Sequence, residues 1–160
     1  MRIVIQRVSS AKVEVGGELI SSIGRGLFVL IGISRTDAKP DADFMRKKIL
    51  KSKYFEDESK KLWSKSVVDL GLELLLVSQF TLYANLGKGN RPDFHRAMPS
   101  AQSRDFYEQF VEDIRKDYDF LKVKTGKFGH ESVCTIVNEG PCTIQIDSRD
   151  HIKDPAQSNP

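Results

Sequence analysis

Cysteine is scarce in this chain: there are 2, Cys134 and Cys142, with no CxxC pair and no His-x-x-x-His partner. So few thiols build no disulfide framework, and the spacing does not fit a structural zinc site, so no metal is expected. Histidine is almost as rare, with His95, His130 and His151 making up the 3 present. No apolar run approaches the length of about eighteen residues that a membrane-spanning helix requires. A Gly-rich phosphate loop, a G-x-S-x-G elbow and internal repeats are all missing. Gly 11 and Pro 6 exclude collagen-like or Pro-rich material. No strong excess of one charge exists either: Lys+Arg 25 against Asp+Glu 22 leaves a net charge of +3. That permits contact with the end of a nucleic acid and argues against a protein that coats a long duplex. The opening MRIVIQRV alternates too early for a signal peptide. These absences predict a cytoplasmic protein with reduced thiols and no membrane partner.

What is present is ordinary globular composition, 39% hydrophobic and 29% charged over 160 residues. That length suits one domain with its own core. Ile3 and Ile5 alternate with Val4 and Val8, predicting a strand over residues 2–8. Val13 and Val15 mark a second short strand, Gly16-Gly17 a hairpin turn, and Leu19 to Ile23 the return. Residues 26–33, GLFVLIGI, are continuously apolar, as for a strand covered on both faces. Pro40 then opens a helix, with Asp41 and Asp43 near its positive end and Ala42, Met45 and Ile49 on one face. The cluster Arg46, Lys47, Lys51 and Lys53 reads as a solvated face or an RNA-backbone contact.

Residues 73–83, ELLLVSQFTLY, read as the strongest strand. A Gly-, Asn- and Pro-rich loop covers 85–99, and loops of that length are functional or disordered. Ser100 is the expected cap of a second helix with the stripe Phe106, Phe110, Val111, Ile114 and Tyr118. Short strands are expected near 121–125, 132–137 and 142–147. Strict βαβ alternation is not visible. The fold class is therefore α+β: a compact, β-barrel-like single domain with two amphipathic helices. It should span residues 1–147, with 148–160 a flexible tail.

Five places could carry chemistry. The run Ser78-Gln79-Phe80-Thr81 puts hydroxyls and an amide at the end of a buried strand. Such groups fix a ligand or satisfy neighbouring backbone. Ser78 or Thr81 as nucleophile would need an adjacent base, and no histidine is near in sequence. Asn138-Glu139-Gly140-Pro141-Cys142-Thr143 reads as a hairpin connection or a rigid display of backbone carbonyls. Arg7, on a strand face with Ile3 and Ile5, is a rim residue or clamps carbonyls or phosphate. In the loop GKGNRPDFHR, Lys88, Arg91, His95 and Arg96 surround Phe94, suiting solvent or RNA. Phe128, beside Gly129, sits over a base or plugs the core.

Together, SQFT, GNRPDFHRAMP, KFG and NEGPCT, set among MRIVIQRV, GRGLFVLIGIS and FEDESKKLWSKSVVDL, closely resemble the D-aminoacyl-tRNA deacylase family over residues 1–147. The resemblance implies a homodimer that needs no cofactor. It implies hydrolysis of the ester joining a D-amino acid to the 3′-terminal adenosine of tRNA, with glycyl-tRNA a further substrate. In the family the Gly-Pro bond is cis, and each subunit inserts it into the other's pocket to exclude L side chains. Carried over, Ser78, Gln79, Phe80 and Thr81 form the catalytic pocket, while Gly140 and Pro141 form the filter. Arg7 holds the filter, and Phe128 and Gly129 lie near the adenosine. The family commonly has Asp and Val where Glu139 and Cys142 stand. Its Ala-x-Met is replaced here by His130-Glu131-Ser132. The alternative is a nucleic-acid-binding protein of the same fold.

Overall fold

The computed structural model describes residues 1–87 and 89–151. Its elements are β1 (Arg2–Val15), β2 (Glu18–Ile23), β3 (Gly26–Gly32), α1 (Lys39–Lys51), β4 (Glu73–Ser78), α2 (Ser100–Asp117), β5 (Val123–Thr125) and β6 (Val133–Asp147). Short 3-10 turns cover Phe80–Tyr83 and Ser148–Asp150.

β1 is one long strand, not two short ones. Its partner explains this: β6 runs antiparallel along it from Arg2↔Asp147 to Glu14↔Val133. On its other edge β1 pairs first with β3 and then with β2. The exposed Ser9 and Ser10 interrupt the apolar alternation where β1 passes from one partner to the other. β6 likewise runs through Gly140-Pro141, so the expected hairpin there is replaced by a bulge within one strand.

β3, β4 and β5 are parallel neighbours. β3–α1–β4–α2–β5 is therefore a pair of crossover units that the long intervening loops concealed in the sequence. Both helices pack into the same cluster, with Met45, Ile49, Tyr107, Phe110 and Ile114 against Ile3, Leu27, Val29 and Leu76. A second cluster on the opposite face joins Val8, Val13, Ile23, Phe28, Leu75 and Val77. The apolar runs of β3 and β4 are thus covered on both sides. The sheet curls towards closure, with Ser21 of β2 donating to the Thr125 carbonyl of β5 at 2.6 Å. The result is the expected α+β, barrel-like single domain.

Three local expectations change. β4 stops at Ser78, and residues 80–83 turn back so that Tyr83 is buried under the Arg2 guanidinium, 4.7 Å from its ring centre. Ser100 does not cap α2. Pro99 occupies that position, and the carbonyl of Pro99 accepts from Ser103 N–H at 2.9 Å. Chain packing also continues past residue 147. Ser148 is fully buried, with its hydroxyl accepting from the Met1 ammonium at 2.6 Å, and Arg149 donates to Ser34 at 2.8 Å. The remainder of the expected tail, residues 152–160, lies outside the described residues.

Candidate functional site

Ser78 closes β4 opposite Ile31 of β3. Gln79 adds one more bond, its N–H donating to the Ile31 carbonyl at 2.7 Å. The chain then enters the turn at Phe80. Gly32 allows that turn to sit close: a Cβ there would lie 2.9 Å from Leu82 Cβ and 3.1 Å from the Gln79 carbonyl oxygen. The first N–H groups of a helical turn find no acceptor within it: Leu82 N–H is the first to bond back, to the Gln79 carbonyl, which leaves those of Phe80 and Thr81 outside the turn's own bonding. Phe80 is 57% exposed, and Thr81 is exposed as well. Gln79 Nε2 donates to Thr81 Oγ1, so an amide and not a base engages the hydroxyl.

The described part of the loop that follows reaches back to this turn. Phe94 meets Phe80 edge-on, with ring centres 5.0 Å apart. Asn85 and Asp93 exchange backbone bonds of 2.8 and 3.0 Å, closing the loop. His95 Nδ1 pairs with the Asp93 carboxylate, whose pKa is lowered chiefly by the His95 backbone N–H. Sequence spacing carries no sign that Phe94, which lies between these two residues, meets Phe80. Arg91 and Arg96 are exposed, while Lys88 lies outside the described residues.

Phe128 and Gly129 share this end of the sheet. Gly126 N–H donates to the Leu76 carbonyl at 3.0 Å, two residues before Ser78. The partly buried Phe128 ring lies 5.6 Å from that of Tyr107, and Arg104 covers it at 5.6 Å. Tyr107 donates to the Leu76 carbonyl at 2.9 Å, and burial holds its phenol well above its ordinary pKa. A groove of about 450 Å³ runs beside these rings between α2 and β5.

Gly140-Pro141 lies elsewhere. Gln6 pairs with Thr143 and Val8 with Asn138, so Arg7 alone faces residues 139–142. Both Gly140 and Pro141 are exposed, the bond between them is cis, and Gly140 has φ +121. Cys142 turns inward and is buried. Arg7 does clamp a carbonyl: its Nη1 donates to Tyr54 O at 2.9 Å, and its Nη2 would lie 3.1 Å from a Cβ on Gly140. Arg7 pairs with Leu27, which pairs with Leu74, four residues before Ser78. At about 3.3 Å per residue and about 4.8 Å per strand, the turn stands about 13 Å along the sheet and about 14 Å across it from Ser78. One copy of the chain does not bring the two motifs together.

No helix among the described residues is long and apolar enough to cross a membrane. The arrangement is that of a small barrel offering backbone amides, hydroxyls and a projecting turn. A family model for D-Tyr-tRNA(Tyr) deacylase matches residues 4–147, and the chain belongs to that family. It is 53% identical over 148 residues to D-aminoacyl-tRNA deacylase 1 of Homo sapiens, covering 92% of this chain and 70% of that protein. It is 47% identical to D-aminoacyl-tRNA deacylase of Clostridium botulinum, covering 93% and 98%. The solved structure of a c-Myc DNA Unwinding Element Binding Protein superposes with a TM-score of 0.89 at 52% identity, covering 92% and 98%.

Proposed function

We propose that the chain is an enzyme that hydrolyses the ester of D-aminoacyl-tRNA, releasing a free D-amino acid and tRNA, and that it also accepts glycyl-tRNA. The observation that carries this reading is the abrupt end of β4 at Ser78, with the N–H groups of Phe80 and Thr81 beyond it. An aminoacyl ester is already activated, so fixing it beside a preorganised donor supplies much of the rate. Water adds to the ester carbonyl, and the developing oxyanion accepts from the Phe80 or Thr81 N–H. The intermediate then collapses, the C–O bond to the ribose breaks and the departing oxygen takes up a proton. Thr81 remains a contact rather than a nucleophile, because its hydroxyl is engaged by the Gln79 amide.

Chirality is read by Gly140-Pro141 of a second subunit. The separation of the two motifs within one chain supports this, as does the exposure of the turn. Carbonyl oxygens facing the substrate Cα leave space for hydrogen on one side only, which excludes an L side chain. Phe128 and Gly129 lie towards the adenosine.

Deacylation of matched D-Tyr-tRNA and L-Tyr-tRNA tests this. Wild type should hydrolyse only the D-ester. Pro141→Ala should raise the L-to-D ratio of kcat/KM by about tenfold or more, the worth of one lost steric contact of about 1–2 kcal/mol. Turnover of neither ester, with salt-dependent binding to duplex DNA, would favour the second reading, a nucleic-acid-binding protein. The likeness to a protein named for binding a DNA unwinding element motivates that alternative.

A further inference from the structure

The bulge that carries Gly140 and Pro141 stands off the sheet, so something must hold its direction. Arg7 supports it from beneath, but Arg7 is itself incompletely satisfied. Its side chain is 14% exposed, and Nε is buried without a hydrogen-bond partner among the described residues. The carboxylate closest to it belongs to Glu139, the residue immediately before Gly140, with Oε1 3.8 Å from Nε. The same oxygen lies 3.6 Å from Nη2 of Arg25, at the start of β3. Arg25 is in turn seated over the Phe55 ring at 5.5 Å. Glu56 also feels both guanidinium groups, but it is held by Lys60 at 2.8 Å, so Glu139 is the carboxylate left to bridge them.

We propose that Glu139 is a positioning residue: bridging Arg7 and Arg25, it fixes the direction in which Gly140 and Pro141 project, and so sets the stringency of L-substrate rejection. This rests on the reading of Gly140-Pro141 as the chiral filter. The physical requirement is tight. An L and a D substrate differ only in exchanging hydrogen and side chain at one carbon, and a displacement of about 1 Å can cost a hundredfold in a positioned site. A neutral residue at 139 leaves two neighbouring cations without their shared counter-charge. The clasp is partly solvated, with Glu139 36% and Arg25 42% exposed, so salt should weaken it.

The test uses the full chain and the L-to-D ratio of kcat/KM for Tyr-tRNA. The ratio cancels any general change in tRNA affinity, and a merely structural lesion would lower both esters together. Glu139→Gln should raise it by about tenfold, and Arg25→Gln should raise it in the same direction. Increasing salt from about 0.05 to about 0.5 M should raise the ratio in wild type and much less in Glu139→Gln. Ratios unchanged in both variants, while wild type still discriminates, overturn the proposal and leave the filter reading standing. Equal loss of both esters in the variants also overturns it. Equal hydrolysis of both esters by wild type overturns the filter reading, and the proposal with it.

Discussion

Gly32 has no side chain, and the site depends on that. β3 ends there, and the turn that follows Ser78 closes onto it, with Leu82 Cβ and the Gln79 carbonyl at 2.9 and 3.1 Å from where a methyl would sit. One of these neighbours is backbone and cannot swing aside. Gly32→Ala should therefore push the Gln79–Thr81 backbone outwards. The overpacking should cost about 1–3 kcal/mol of stability. The displaced amides should lose about a hundredfold in D-Tyr-tRNA turnover. Thr81→Ala should behave differently. It removes a hydroxyl held by an amide and leaves the backbone in place, so turnover should fall by less than about tenfold. Denaturant unfolding and single-turnover deacylation of the two variants separate the effects. A Thr81→Ala protein as dead as Gly32→Ala would restore the hydroxyl as nucleophile.

Elements are joined end to start by ionic contacts, and these set the response to acid. Arg2, opening β1, donates from Nε to Asp147, closing β6, at 2.8 Å. Burial raises the Asp147 carboxyl, but the Arg2 bond and the Arg149 N–H outweigh it and leave the pKa lowered. The folded state then binds that proton less tightly than the unfolded chain does. The contribution is complete above the unfolded value of about 4 and disappears as the pH falls through the folded value. Asp147→Asn should thus cost about 1 kcal/mol at neutral pH, a modest figure because Arg2 is 39% exposed to screening solvent. The difference from wild type should shrink as the pH falls below the unfolded value and through the lowered folded one, as followed by urea unfolding across a pH series. Elements also differ in how far the sequence reveals them. β3 and β4 announce themselves because both faces are covered and their apolar runs are unbroken. β1 and β6 read as pairs of short strands because Ser9-Ser10 and Gly140-Pro141 look like breaks. Only the mutual register of the two strands carries each through. Residues 80–83 have strand composition, so nothing local warns of the turn that shapes the site.

At the scale of the whole molecule, the motifs are legible by their residues but their distance apart is not. The run Ser78–Thr81 and the pair Gly140-Pro141 stand out in the sequence. Their placement three strands apart follows from pairing register, as does the meeting of Glu139 with Arg25. If the site needs both motifs, two chains must supply them, and symmetry makes that a mixing experiment. Consider a dimer purified with one Pro141→Ala subunit and one Gly32→Ala subunit, each carrying its own tag. With sites shared between subunits, one site combines the intact pocket of the first with the intact turn of the second, and the other site carries both lesions. Such a dimer should hydrolyse D-Tyr-tRNA at about half the wild-type rate and reject L-Tyr-tRNA as wild type does. With sites contained within each chain, the Pro141→Ala subunit would keep a complete pocket behind a defective filter. The mixed dimer would then go on hydrolysing the L-ester. The two arrangements therefore predict opposite fates for one substrate in one tube, and persistence of L-ester hydrolysis would refute the shared site.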